Sequence, residues 1–238
     1  GDLDLYAPIW PSSSPQSHLF LNNGKGLFVE YLDSGLNIPG WGVYSGVAVF
    51  DVDKDNDIDI VEVSWNGSTM NTRILKNNGK SQFTVSQDLN DVGGAVGVAD
   101  FDNDGDVDFI ASSLFKNDGN GIFTPQASPG TGYSSQQYYD PYHYVAVADI
   151  DKSNGKDFMY AYFPTAMLNN GDATFLQCSL PDLFKSNYDT KTYYQFYPYE
   201  VGDIDGDGDI DMIGPAYSGS YYSDNNLSLS VAFNNLIK

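Results

Sequence analysis

An all-β fold built from repeated four-stranded units is predicted by three features of the 238-residue sequence. An aspartate-rich stretch recurs at a near-constant interval. A second motif, Asn-Gly or Asp-Gly between apolar flanks, follows each copy. Short apolar, β-branched runs stand between them, with no long 3.6-residue period and no helix-capping pattern.

The acidic stretches are "DVDKDNDID" at 51–59, "DFDNDGDVD" at 100–108, "DIDKSNGKD" at 149–157 and "DIDGDGDID" at 203–211. Their starts lie 49, 49 and 54 residues apart, and the opening "GDLDL" matches the tail of the same pattern. A period near 50 marks a repeat architecture. The turn motif reads "LFLNNGKGLF" at 19–28, "ILKNNGKSQF" at 74–83, "LFKNDGNGIF" at 114–123 and "MLNNGDATF" at 167–175, and "VAFNN" at 231–235 starts a fifth copy. Asn-Gly and Asp-Gly in such settings signal hairpins, and a two-residue type I′ turn is expected, with positive φ at both central positions.

Each repeat then reads as four strands. Strand A is apolar ("GVAVF" 46–50, "YVAVAD" 144–149), the acidic loop follows, and strand B is "IDIVEVS" 58–64, "VDFIASS" 107–113 or "IDMIGPA" 210–216. Strand C runs into the Asn-Gly turn and strand D leaves it. Four-stranded units at this period are typical of β-propeller blades. One domain over 1–238 is expected, with repeats near 1–45, 46–94, 95–143, 144–199 and 200–238. The first copy lacks strand A and the last lacks strand D. Three readings follow: a piece of a larger propeller, a five-bladed ring with irregular closure, or blades completed by strands from neighbouring subunits.

Composition narrows the partners. Hydrophobic residues at 41% and aromatics at 15% exclude a disordered acidic tail. The formal charge of -21 makes nucleic acid and anionic membranes poor partners. No stretch reaches the roughly 18 apolar residues of a membrane span. The single cysteine, Cys178, excludes an internal disulfide and reads as a small buried or half-buried hydrophobe.

Aspartates at loop positions 1, 3, 5 and 9, with a flexible residue at 6, can converge on one cation. Position 6 is Asn56, Gly105, Asn154 and Gly208, residues that tolerate positive φ. Many hard oxygens suit Ca²⁺ better than Mg²⁺, which keeps its waters. Candidate ligands are Asp51, Asp53, Asp55, Asp57 and Asp59; Asp100, Asp102, Asp104, Asp106 and Asp108; Asp149, Asp151, Ser153 and Asp157; and Asp203, Asp205, Asp207, Asp209 and Asp211. Three sites are well formed. The third loop is weaker, because Ser153 stands where the others have aspartate. Asp2 and Asp4 are half a site. An EF-hand is rejected: it needs a bidentate acid at position 12 and flanking helices, whereas position 12 is Glu62, Ala111, Tyr160 and Gly214 and the flanks read as strands.

"VADFDNDGDVDFIAS" followed by "LFKNDGNGIF" resembles the FG-GAP/VCBS repeat, and the resemblance covers essentially the whole chain. It implies the β-propeller of integrin α-subunits and of some lectins, with Ca²⁺ in the loop between strands A and B. It does not fix function, since adhesion, sugar binding and catalysis share the fold.

The other loops are aromatic. The B–C and D–A connections hold Trp10, Trp41, Trp65, Tyr139, Tyr142, Tyr194, Tyr197 and Tyr222. Such rings offer large contact area with a polar tip, either for stacking on sugars and contacting protein or for filling blade interfaces. The two histidines, His18 and His143, sit in no nucleophile or metal-ligand pattern, and no HExxH, GxSxG or Walker loop is present. An enzyme is therefore not expected. Sequons at Asn66 and Asn226 fall in the same loops. The expectation is an extracellular or cell-surface Ca²⁺-binding propeller that takes a carbohydrate or protein ligand through its aromatic loops. The alternative is a structural or adhesive subunit that shares strands with its neighbours.

Overall fold

The computed structural model describes residues 2–9, 16–36, 42–65, 69–90, 92–126, 145–160, 165–179, 184–186, 194–196, 200–218 and 226–234. It is all-β, with one short 3-10 turn at Leu32–Ser34 among the described residues. No described helix is long and apolar enough to cross a membrane.

The strands fall into five sheets in chain order. The first has three strands, β1 (Leu5–Ile9), β2 (Gln16–Asn22) and β3 (Phe28–Glu30). The second is β4 (Gly42–Phe50), β5 (Asp59–Trp65), β6 (Met70–Asn77) and β7 (Phe83–Asn90). The third is β8 (Gly97–Ala99), β9 (Asp108–Ile110), β10 (Leu114–Asn117) and β11 (Phe123–Pro125). The fourth is β12 (Val145–Ala148), β13 (Asp157–Tyr160), β14 (Thr165–Asn169) and β15 (Phe175–Ser179). In the second and fourth, successive strands pair antiparallel, so the A–B–C–D reading of a repeat holds.

The fifth sheet departs from expectation. Its strands are β16 (Phe184–Ser186), β17 (Tyr194–Phe196), β18 (Glu200–Gly202), β19 (Asp211–Ser218) and β20 (Asn226–Asn234). β18 and β17 both pair with β19, and β16 pairs with the far edge of β20, Phe184 opposite Asn234. Residues 184–186 thus occupy the strand-D position that the sequence leaves vacant. They come from the long connection of the 54-residue repeat, and β20's free edge, a row of unpaired N–H and C=O groups, is what they satisfy.

Among the described residues two compact units are distinguished, one within 2–96 and 110–125, the other within 97–109 and 145–234. In the first, Leu19, Leu36, Ile60, Leu75 and Phe83 form a buried cluster. The chain is tight there: a Cβ on Gly35, at φ 76°, would lie 2.3 Å from the Phe83 carbonyl oxygen. In the second unit, Ala146, Ala148, Ile150, Met159, Ala166, Leu168 and Met212 pack together, with Cys178 half-buried against them. Beside them Phe101, Phe158 and Phe175 meet edge to face, centroids 4.9–6.2 Å apart.

The Asn-Gly turns also differ from the expected type I′. Each is a longer loop closed by a backbone bond across five residues, such as Asn78 N–H to the Gln82 carbonyl at 3.0 Å. Positive φ falls on alternate residues: Gly24 and Gly26, Gly79 and Ser81, Gly119 and Gly121, Gly171 and Ala173. The asparagine side chain winds the loop. Asn117 Oδ1 accepts the N–H of Gly119 and of Gly121, both at 3.1 Å, and Asp118 Oδ1 accepts those of Asn120 and Ile122.

Candidate metal centres

Each acidic loop leaves one strand and enters the next, and its backbone is bracketed by its own carboxylates. Position 2 is apolar, and Val52, Phe101 and Ile150 are buried there. The position-9 aspartates Asp59, Asp108, Asp157 and Asp211 have no exposed surface. In every loop the Oδ2 of this residue accepts the N–H of position 2: Val52 at 3.0 Å, Phe101 at 3.0 Å, Ile150 at 2.6 Å and Ile204 at 2.9 Å. The Oδ1 of Asp59, Asp157 and Asp211 accepts a second N–H, from Asn77, Asn169 and Asn234, at 2.7, 2.7 and 3.0 Å. Position 9 therefore ties the loop's start to the turn that opens strand D.

The position-1 aspartate closes the middle. Asp51 accepts the N–H groups of Asp55 and Asn56, Asp100 those of Asp104 and Gly105, and Asp203 those of Gly206 and Gly208. Position 5 makes a local turn: Asp55, Asp104 and Asp207 each accept the N–H two residues on, at 2.8, 2.9 and 3.0 Å. The expected positive φ at position 6 is present at Asn56, Gly105, Asn154 and Gly208. A second at position 4 was not legible in the sequence, because it falls on Lys54, Asn103, Lys152 and Gly206, three of which are not glycine.

Positions 1, 3 and 9 are brought together in every loop. The sets are Asp51, Asp53 and Asp59; Asp100, Asp102 and Asp108; Asp149, Asp151 and Asp157; and Asp203, Asp205 and Asp211. Each contributes one oxygen, and the three lie within 4.8 Å of one another. Oxygens that close fit around one Ca²⁺, whose ligands stand ~2.3–2.6 Å away. Buried triad oxygens without a hydrogen-bond partner support the fit: Oδ1 of Asp53 and of Asp149. These are hard anionic donors of the kind a calcium ion selects. Asp55, Asp57, Asp104, Asp106, Asp207 and Asp209 stand outside these three-carboxylate sets. In the third loop Ser153 spends its hydroxyl on Asp151 Oδ1 at 2.9 Å.

The electrostatics follow from burial. The Asp157 carboxyl is pushed up to about 6, chiefly by desolvation and then by the charge of Asp151, against three backbone N–H bonds, from Asn169, Ile150 and Asp151, that favour the anion. Asp59 is raised for the same leading reason. Exposed Asp118 is lowered by the N–H groups of Asn120 and Ile122.

The asparagine that opens each turn is the functional residue the sequence did not single out. Beyond capping its own turn, in the last three copies it reaches the acidic loop of the preceding repeat, whereas Asn22 and Asn77 donate within their own repeat, to the Leu3 and Ile58 carbonyls. Asn117 Nδ2 donates to the Val52 carbonyl at 2.8 Å, Asn169 Nδ2 to that of Phe101 at 2.8 Å, and Asn234 Nδ2 to that of Ile150 at 2.9 Å. All three are nearly fully buried. The signal was its recurrence before the glycine, which reads equally well as turn chemistry alone.

Glu62, the one acid at position 12, serves no loop. It is buried on β5, pairs with Arg73 on β6 and accepts from the Tyr6 hydroxyl, whose other partner is Ser17 at 2.8 Å. Burial, and then the Glu62 charge, push the Tyr6 pKa up. His18 lies on β2 against Glu30, 2.5 Å from its Oε1. Of the aromatic candidates, Trp65 ends β5 and Tyr194 begins β17 rather than lying in loops. Trp10, Trp41, Tyr139, Tyr142, Tyr197, Tyr222 and His143 lie outside the described residues.

No family model and no curated protein matches the chain. Among solved structures it is similar to a lectin of Agrocybe aegerita described as specifically recognising non-reducing terminal N-acetylglucosamine. The identity is 17% and the TM-score 0.37, over 98% of this chain and 80% of that one.

Proposed function

We propose that this chain is a calcium-stabilised β-propeller of the FG-GAP/VCBS type, secreted or on a cell surface, that binds a carbohydrate ligand through its aromatic loops. The observation that carries the calcium part is the recurrence of one carboxylate triad, positions 1, 3 and 9, in four loops of the same hydrogen-bonded design. Metal there neutralises clustered charge and adds its binding free energy to folding. The carbohydrate part is supported by Trp10, Trp41 and many tyrosines in the segments that the sequence places between strands, with Trp65 at the end of β5. Strand sharing between subunits loses its motive at the last sheet, where β16 fills the fourth position.

Thermal melts in Ca²⁺, Mg²⁺ and EDTA, with a metal count on the purified chain, test the first part. The expected result is about three Ca²⁺ per chain and a Ca²⁺-specific stabilisation. No metal and no shift would reduce the loops to solvated turns. A glycan array tests the second part, with a hit expected and lost in Trp41→Ala or Trp65→Ala. An array without hits, on calcium-loaded protein, would reject sugar binding and leave the calcium reading standing.

A further inference from the structure

We infer that Lys76 is a resident counter-ion of the first acidic loop, one that holds this loop in place without metal and weakens its grip on a divalent cation. The cation half of the inference rests on the calcium reading above. Lys76 lies on β6, next to the turn asparagine Asn77. Its Nζ is 3.0 Å from Asp53 Oδ2, a carboxylate of the first triad, and donates to the Asn120 carbonyl at 2.5 Å. Both side chains of the pair are mostly buried, at 25% and 20% exposure, so the ammonium is not a loosely solvated surface charge. The Lys76 side chain is closely packed against Gly121. A Cβ on Gly121 would come 2.7 Å from Lys76 Cε, 2.9 Å from its Nζ and 2.9 Å from Val52 Cγ2.

Asp53 is shared rather than consumed. Lysine takes Oδ2, and the buried Oδ1 has no hydrogen-bond partner. A divalent ion on the free oxygen would face a positive charge across a single carboxylate, ~5 Å away, and that repulsion is worth about tenfold in affinity. Without the ion, the same ammonium relieves the repulsion among Asp51, Asp53 and Asp59. The residue at this place in the fourth and fifth copies of the turn is Leu168 or Phe233, so the device is not required by the fold.

The test is Lys76→Met, which keeps the apolar stem, studied with Asp53→Asn and the double variant. In EDTA, Lys76→Met is expected to melt about 2–4 °C lower, with the loss absent in the Asp53→Asn background. In a calcium titration, one class of site is expected to tighten about tenfold, and saturating Ca²⁺ restores the melting temperature. An equal loss in both backgrounds overturns the counter-ion role and makes Lys76 a strut to Asn120. A weakened site instead of a tightened one overturns the effect on affinity. If the wild type binds no calcium, the calcium reading fails by itself, and the EDTA cycle still decides the counter-ion role.

Discussion

The second and third acidic loops, residues 100–108 and 149–157, share a backbone design and differ in charge. Both bury position 2, both use the position-9 Oδ2 to hold the N–H of that residue, and both place positive φ at positions 4 and 6. Yet the second carries five aspartates, whereas the third carries three, with Lys152, Ser153, Gly155 and Lys156 in the intervening places. The comparison teaches that two jobs are layered on one loop. Positions 1, 3 and 9 gather in both, while the acids at 5 and 7 are dispensable to the loop's path.

The largest effect should come from breaking the shared layer. Asp157→Ala leaves two buried N–H groups, of Ile150 and Asn169, without an acceptor and should cost about 2–5 kcal/mol. Urea unfolding should show that loss in EDTA, where only the hydrogen-bonded bracket is broken, and a larger one in Ca²⁺, where a triad oxygen is lost with it. A loss seen only in Ca²⁺ would mean that Asp157 acts through metal and that the bracket is incidental.

Asn169→Ala should follow, at about 1–3 kcal/mol. It removes the bonds to the Phe101 and Lys156 carbonyls and uncaps the Gly171 turn. Because the residue reaches into the second loop, calcium affinity should fall as well, read by calorimetric titration. Unchanged affinity would separate the strap from the site.

The charge layer is sharpened by a reciprocal pair. Asp104→Ala should lower the melting temperature in Ca²⁺ by several degrees but by only about 2 °C in EDTA, where it loses one turn hydrogen bond to the Asp106 N–H. Ser153→Asp should do the opposite, tightening calcium binding at the third loop. Equal melting losses for Asp104→Ala in both conditions would remove position 5 from the metal site.

The smallest effect is on pH. The folded-state pKa of Asp157, about 6, lies above the ordinary carboxylate value of 3.8. A raised acid favours the folded state while protonated, and that contribution is lost as pH rises through about 6. In EDTA, then, this group should make the chain more stable at pH 5 than at pH 7.5. Calcium should reverse the order, because it binds the ionised form. Melts at the two pH values, with Asp157→Asn as the control that removes the titration, check the sign.

The repeat itself was written in the sequence. An aspartate stretch every 49 to 54 residues and the Asn-Gly signals placed the loops, strands A to D and the candidate ligands, because strand alternation and turn chemistry act over a few residues. The sequence also marked the third loop as different, since Ser153 is visible without any structure. Tertiary structure decided what depends on partners far along the chain. It closed β20's edge with residues 184–186, about 50 residues upstream, because an unpaired strand edge takes whichever segment can reach it. It sent Asn117, Asn169 and Asn234 to carbonyls 65, 68 and 84 residues away, because a buried amide must find acceptors wherever packing leaves them. And it divided five alternating carboxylates into three that converge and two that do not, a matter of loop curvature that spacing alone leaves open.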